Sequence, residues 1–134
     1  MRILALDVGK RRIGVAVSDP LRVTVRPHCT IDRNREAPPK IAAMAKEMGV
    51  DLILIGLPLH LNGTEGEQAR DVRGFAEKLA PAIEGVEFRF MDERLTTVEA
   101  EERLYDRRGG WRKNRDRIDA FAAASLLERY LNEQ

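Results

Sequence analysis

RILALDVGKRRIGVAVSD, residues 2–19, sets two apolar, β-branched runs on either side of a short basic turn. RILALDVG and RIGVAVSD each have the composition and length of a strand, and the turn at Lys10, Arg11 and Arg12 predicts a hairpin. The first strand ends on Asp7, with Gly9 and three positive charges directly after it. A strand end in an apolar setting is a costly place for an uncompensated carboxylate. Asp7 therefore either starts the turn, as aspartates often do, or is held there for chemistry.

The rest of the chain extends this hairpin into a mixed sheet. A third strand is expected from about Val23 to Ile31, after Pro20. In PPKIAAMAKEMG, Ile41, Met44, Ala45 and Met48 share one helical face, prolines open the helix and Gly49 closes it. DLILIGLP, from Asp51, is a continuous apolar run of the kind buried on both faces of a sheet. Thr64 and Glu67 have capping-box spacing, and Ala69, Val72, Phe75, Ala76 and Leu79 form the apolar stripe of a helix ending near Pro81. VEFRFMDE, from Val86, is a further strand. Thr96 and Glu99 repeat the capping-box spacing before a short helix to about Tyr105. A basic loop, Asp106 to Asn114, then leads to a final helix, Arg115 to Leu131. The order β-β-β-α-β-α-β-α-α predicts an α/β fold, three antiparallel strands and then two parallel ones, with helices on both faces. Asp7, Gly56 and Asp92–Glu93 then lie at the carboxyl ends of parallel strands, where ligand sites of open α/β sheets form.

Composition narrows the class. At 134 residues the chain is expected to be one domain, and 43% hydrophobic with 34% charged residues indicates a globular rather than a disordered protein. No apolar run reaches the ~20 residues of a membrane helix, and MRILALDVG is a strand pattern rather than a secretory signal. Cys29 is the single cysteine, so no internal disulfide can form and a cytoplasmic location is expected. The net charge of +1 is uninformative, but the cations cluster at residues 10–12 and 107–117. Such a split suits a basic face for a polyanion, or simply a solvated surface.

Asp119 is the second carboxylate of interest. Ala122, Ala123, Leu126 and Tyr130 lie at helical spacing from it, which puts Asp119 in the inward stripe near the helix start. The alternative is that it accepts bonds from the first N–H groups of its own helix. Asp116, one turn earlier, reads as a solvated or capping residue. Carboxylates from Asp7, the Asp92–Glu93 pair and Asp119 converging on one sheet edge would raise one another's pKa unless a cation lay among them. Mg²⁺ or Mn²⁺ is the natural oxygen-bound cation, and such a cluster beside basic residues is suited to hydrolysing a phosphodiester.

LALDVGKRRIGVAVSD, IGLPLHLNGTEGEQAR, MDERLTTVEAEERL and RIDAFAAASLLERYL resemble, in order, the sequence blocks of the YqgF/RuvX family. The resemblance spans nearly the whole chain. It implies an RNase H-like fold related to the RuvC Holliday-junction resolvase. It also implies a metal-dependent nuclease for 5′-end maturation of pre-16S rRNA, with Holliday-junction resolution as the older proposal. Carried onto this sequence, it makes Asp7, Glu93 and Asp119 the catalytic, metal-binding carboxylates. Alternation along a strand points Asp92 and Glu93 to opposite faces, so Asp92 is the alternate to Glu93.

Several other residues are candidates for holding nucleic acid. Lys10, Arg11 and Arg12 could contact phosphates, although a hairpin tip is commonly charged anyway. Asn62 and Thr64, with the first N–H groups of the following helix, could hold a phosphate; Thr64 could equally be a plain helix cap. Trp111, among Arg108, Arg112 and Lys113, could stack on a base or pack on a helix. Arg94 could contact nucleic acid or pair with Asp92 or Glu93. Gly9 would allow a sharp turn and leave room for a metal or phosphate. His28 and His60 lack triad or zinc spacing, and Cys29 lacks a paired base.

The expected partner is RNA, a pre-rRNA, with structured DNA as an alternative, no membrane, and a monomer or homodimer. Two competing functions remain. A strand–DxG–strand opening also occurs in ATPases of the actin and sugar-kinase type, but those need two such domains. A non-catalytic RNA-binding domain could keep the same fold without turnover.

Overall fold

A computed structural model of the chain describes residues 1–60, 62–92 and 115–133, the last segment with side chains from Asp119 onward. The strands are β1 (Arg2–Val8), β2 (Arg12–Ser18), β3 (Val25–Asp32), β4 (Val50–Leu57) and β5 (Glu87–Asp92). The helices are α1 (Ala37–Glu47), α2 (Glu67–Leu79, followed by a single 3-10 turn at Ala80–Ala82) and α3 (Arg115–Asn132). They form one five-stranded sheet in the order β3-β2-β1-β4-β5. β1 pairs antiparallel with β2 and parallel with β4, β2 pairs antiparallel with β3, and β4 pairs parallel with β5. The anticipated mixed sheet is therefore present. The helix expected from Thr96 to Tyr105 and the basic loop at 106–114 lie outside the described residues.

Alternation along the central strands divides the core in two. Leu4, Leu6, Val8, Ile13, Val15, Val17, Ile53 and Ile55 face α1 and α2, packing on Ile41, Val72, Phe75 and Leu79. Ile3, Ala5, Ala16, Leu52 and Leu54 face α3, packing on Ala123, Ala124, Leu126 and Leu127. Each fully buried Leu or Ile contributes about 1.5–3 kcal/mol through area removed from water. The alanines of α3 allow it to lie close across β1, β2 and β3.

Local chemistry explains the boundaries. Pro38 and Pro39 stand in the first turn of α1, and Gly49, at φ +64°, ends it. The third strand begins at Val25 and not at Val23, because residues 19–24 close into a turn of their own. The Asp19 carboxylate accepts the N–H groups of Val23 (2.7 Å) and Thr24 (2.9 Å), and its own N–H donates to the Thr24 carbonyl. Those bonds hold the Asp19 carboxyl below the usual carboxylate range. Arg22, at φ +59°, supplies the sharp bend. Along β3, Val15 faces Cys29 and Ala16 faces Pro27, so His28 is an extra residue in a bulge on an edge strand. Pro27 cannot donate to the ladder and is tolerated at such a place.

The capping box expected at Thr64 is not formed. α2 starts at Glu67 with Gly66 in the capping position, and the Thr64 N–H and hydroxyl instead both donate to the Asn62 side-chain oxygen. The Asn side chain mimics a backbone turn there. The inward stripe of α2 is nevertheless as the spacing predicts, with Ala69, Val72, Phe75, Ala76 and Leu79 all buried.

Candidate active site

The site begins at β1. Ile3 and Ala5 face α3, and alternation gives Asp7 the same face. Its antiparallel partner on β2 is Gly14. On the other side Leu6 pairs with Ile55, so the next residues along the two parallel strands, Asp7 and Gly56, run side by side. Asp7 thus stands between two residues without side chains, half-buried at the carboxyl end of β1.

Gly14 decides how α3 meets this row. A Cβ at Gly14 would lie 1.9 Å from the Asp119 carbonyl oxygen and 2.8 Å from the Ala120 nitrogen. The second turn of α3, at Asp119 and Ala120, is therefore seated directly on the Gly14 backbone. Directly opposed residues of an antiparallel pair have Cα atoms about 4.5–5.5 Å apart. Asp7 and Asp119, 112 positions apart in sequence, are thereby brought to one place. Sequence reasoning named both carboxylates and missed the glycine that joins them. Its only signal was a glycine inside an otherwise β-branched strand, which marks a close backbone approach.

Arg12 lies two residues before Gly14 on the same face, and its Nε donates to Asp119 Oδ2 at 3.2 Å. Both side chains are about one-third exposed (31% and 28%), so solvent screening limits the pair to about 1 kcal/mol or less. The bond shows that Asp119 presents its carboxylate to the sheet edge. Arg12, expected as a phosphate contact, is placed at the carboxylate itself.

Asp92 goes to the other face. Its partner on β4, Leu57, belongs to the α1–α2 core, as does Phe88 four residues earlier on β5. Met91, by contrast, packs in the α3 core. The alternate carboxylate is therefore directed away from Asp7. Glu93, Arg94, Arg108, Trp111, Arg112 and Lys113 lie outside the described residues.

Among the described residues no group of three His, Cys, Asp or Glu side chains is arranged to hold a metal ion. Asp7 and Asp119 provide two hard oxygen donors beside glycines, a donor set that fits Mg²⁺ or Mn²⁺ and not a thiophilic metal.

The turn carrying these residues is braced from behind. The Gly9 N–H donates to the Arg12 carbonyl at 2.8 Å, and a Cβ at Gly9 would come within 2.9 Å of that oxygen. The close approach at Gly9 is thus to the chain's own turn. The Arg33 N–H donates to the Arg11 carbonyl at 2.8 Å, and the Arg33 guanidinium reaches the Gly9 carbonyl at 3.0 Å. The same guanidinium grips the Asp71 carboxylate at 2.7 and 2.9 Å and covers the Phe75 ring at 5.3 Å. This bidentate bond holds the Asp71 carboxyl below the usual range. Nothing in the sequence singles out Arg33, whose role exists only once β3 and α2 are adjacent. Lys10 and Arg11 are exposed at the tip.

The loop after β4 is a small closed hairpin. Leu59 bridges to Glu65, the His60 N–H donates to the Thr64 carbonyl, and Arg73 holds Glu65 through two bonds. His60 packs on Gly66, where a Cβ would be 2.4 Å from its Nε2. Asn62 and Thr64 are exposed and bonded to each other. Burial pushes the Cys29 thiol up, in keeping with its reading as a strand residue and not a nucleophile.

Comparison with known proteins accords with this architecture. The family model described as "RuvX: Holliday junction resolvase" matches residues 1–133. A protein of Anaeromyxobacter sp. (strain Fw109-5), named "Putative pre-16S rRNA nuclease", is 46% identical over 98% of this chain and 97% of its own length. A relative of the same name from Roseiflexus sp. (strain RS-1) is 42% identical over 99% of this chain and 95% of its own length. Among solved structures, T. thermophilus RuvC in complex with Holliday junction substrate superposes with a TM-score of 0.61 at 13% identity, covering 99% of this chain and 94% of that one. That similarity establishes the RNase H-like, RuvC-type fold. With its sheet order and a family match over almost its entire length, the chain belongs to the RuvX family.

Proposed function

We propose that the protein is a metal-dependent nuclease that hydrolyses a phosphodiester bond in precursor 16S rRNA during maturation of its 5′ end, in the cytoplasm. The observation that carries this reading is the seating of Asp119 on Gly14, beside Asp7. Two carboxylates from opposite ends of the chain meet at an edge bordered by Lys10, Arg11 and Arg12. The names of the relatives support an RNA substrate. Asp7, Asp119 and Glu93 are the proposed ligands. The choice of Glu93 over Asp92 is supported by β5, where Met91 shares the face of Asp7 and Asp92 does not. Bound Mg²⁺ or Mn²⁺ would lower the pKa of the attacking water and stabilise the leaving oxygen. Arg12 holds the Asp119 carboxylate in position, while Lys10 and Arg11 meet the phosphate backbone.

The family description favours a second reading, cleavage of a four-way DNA junction. One experiment separates them: precursor 16S RNA and a DNA junction are each incubated with Mg²⁺ or Mn²⁺ and with wild-type, Asp7→Asn or Asp119→Asn protein. The expected result is RNA cleavage lost in both variants. Cleavage that survives Asp7→Asn would refute the carboxylate mechanism, and cleavage of the junction alone would favour the second reading.

A further inference from the structure

A cavity of about 570 Å³ opens between the end of β3, the start of α1 and the outer side of α2, lined by Arg33, Arg35, Asp71, Gly74, Phe75 and Lys78 among others. It lies on the α1–α2 face, across the sheet edge from Asp7, yet it adjoins the same turn. Asp32, the last residue of β3, pairs with Arg12 at the start of β2, and Arg33 is bonded to the carbonyls of Gly9 and Arg11. The β1–β2 turn therefore separates the carboxylate site from the cavity, with Lys10 and Arg11 exposed at its tip.

The charge inside is unevenly used. Arg33 is committed to Asp71 and to the Phe75 ring. Arg35 and Lys78 are exposed, and among the described residues neither is held in an ion pair. Lys10 and Lys78 both lie near enough to Asp71 to act on its carboxyl. With Arg33 neutralised by Asp71, the surplus positive charge of the cavity is that of Arg35 and Lys78. Arg33 occupies a face of the only aromatic ring in the lining, so the cavity offers charge rather than a stacking platform. Its volume falls in the range of sites for drug-sized molecules, about 300–1,000 Å³, and exceeds what a single phosphate needs.

We propose that this cavity binds the phosphate backbone of a single-stranded flank of the RNA, which leaves the carboxylate site, crosses Lys10 and Arg11, and is held by Arg35 and Lys78. The inference rests on the nuclease reading of the Asp7 site. It makes the protein require a flank beyond the scissile phosphate, without regard to base sequence.

The test is binding of labelled precursor 16S leader RNA to Asp7→Asn protein, with and without Arg35→Ala and Lys78→Ala together, across a salt series. The same RNA trimmed close to the cleavage site, on one side or the other, serves as the short probe. Each single-strand phosphate contact contributes about 0.7 to the slope of log affinity against log salt. The double change should therefore reduce the slope by about 1.4 and weaken binding of the long RNA about 25-fold at 0.1 M salt. One of the two trimmed RNAs should be insensitive to the change. An unchanged slope, or equal losses on the long and both short probes, overturns the inference. If the protein without the two changes binds none of the RNAs, the precursor-rRNA reading of the site fails first and the inference falls with it.

Discussion

Gly14→Ala places the most direct strain on the site. The new methyl group would sit 1.9 Å from the Asp119 carbonyl oxygen and 2.2 Å from its carbonyl carbon, both backbone atoms that no rotamer change can move. Restoring ordinary contact requires α3 to retreat by about 1.5 Å at that turn. Forcing a methyl into a packed contact costs about 1–3 kcal/mol, and the retreat also loosens the α3 core around Ala123, Leu126 and Leu127. For a chain of this size the expected fall in Tm is roughly 3–15 °C. The same movement draws the Asp119 carboxylate away from Asp7, and a misplacement of about 1 Å can cost around a hundredfold in rate. The assay pairs thermal unfolding with single-turnover RNA cleavage well below the melting range. A Gly14→Ala protein that melts and cleaves like the parent would refute both the seating of α3 and the convergence built on it.

Two further outcomes follow from other positions. A methyl group at Gly74, inside α2, would meet nothing within 4 Å, so Gly74→Ala should raise stability by about 0.5–1 kcal/mol in denaturant unfolding. Asp71 titrates below the ordinary 3.8 because Arg33 bonds its charged form. A carboxyl depressed in the folded state stabilises above its unfolded pKa and loses that contribution as pH falls through the folded value. Acid unfolding curves should therefore show Asp71→Asn less stable than the parent at neutral pH, with the gap closing below about pH 4. A gap that stays constant down to acid would exclude the Arg33 bond as its source.

The sheet and its covering helices were legible because their signals are local and redundant. The α2 stripe from Ala69 to Leu79 places five apolar residues on one face over about three turns, and the run from Asp51 to Leu57 needs only its own composition. The misread positions are those where one polar side chain has two possible partners. Thr64 has a capping spacing but bonds Asn62, and Asp19 closes a turn that removes Val23 and Thr24 from the strand. Asp7 and Asp119 were legible as carboxylates in apolar patterns. Their meeting was not, since it depends on a bare backbone at Gly14 that no periodicity marks. Arg33 was invisible for the same reason, as its three partners come from a turn and a helix distant in sequence.

The path of the chain also sets an order of events. Every strand of the sheet precedes α3 in sequence, so during synthesis the sheet can form while Asp119 has yet to be made. Until α3 docks, Asp7 is in place between Gly14 and Gly56 but the second carboxylate, with its bond to Arg12, is not. If Asp7 and Asp119 act together as proposed, a nascent or partly folded copy should leave the transcripts around it uncut. On the proposed reading, docking of α3 is the step that completes the carboxylate pair, so the packing of one helix doubles as a safety catch on the site.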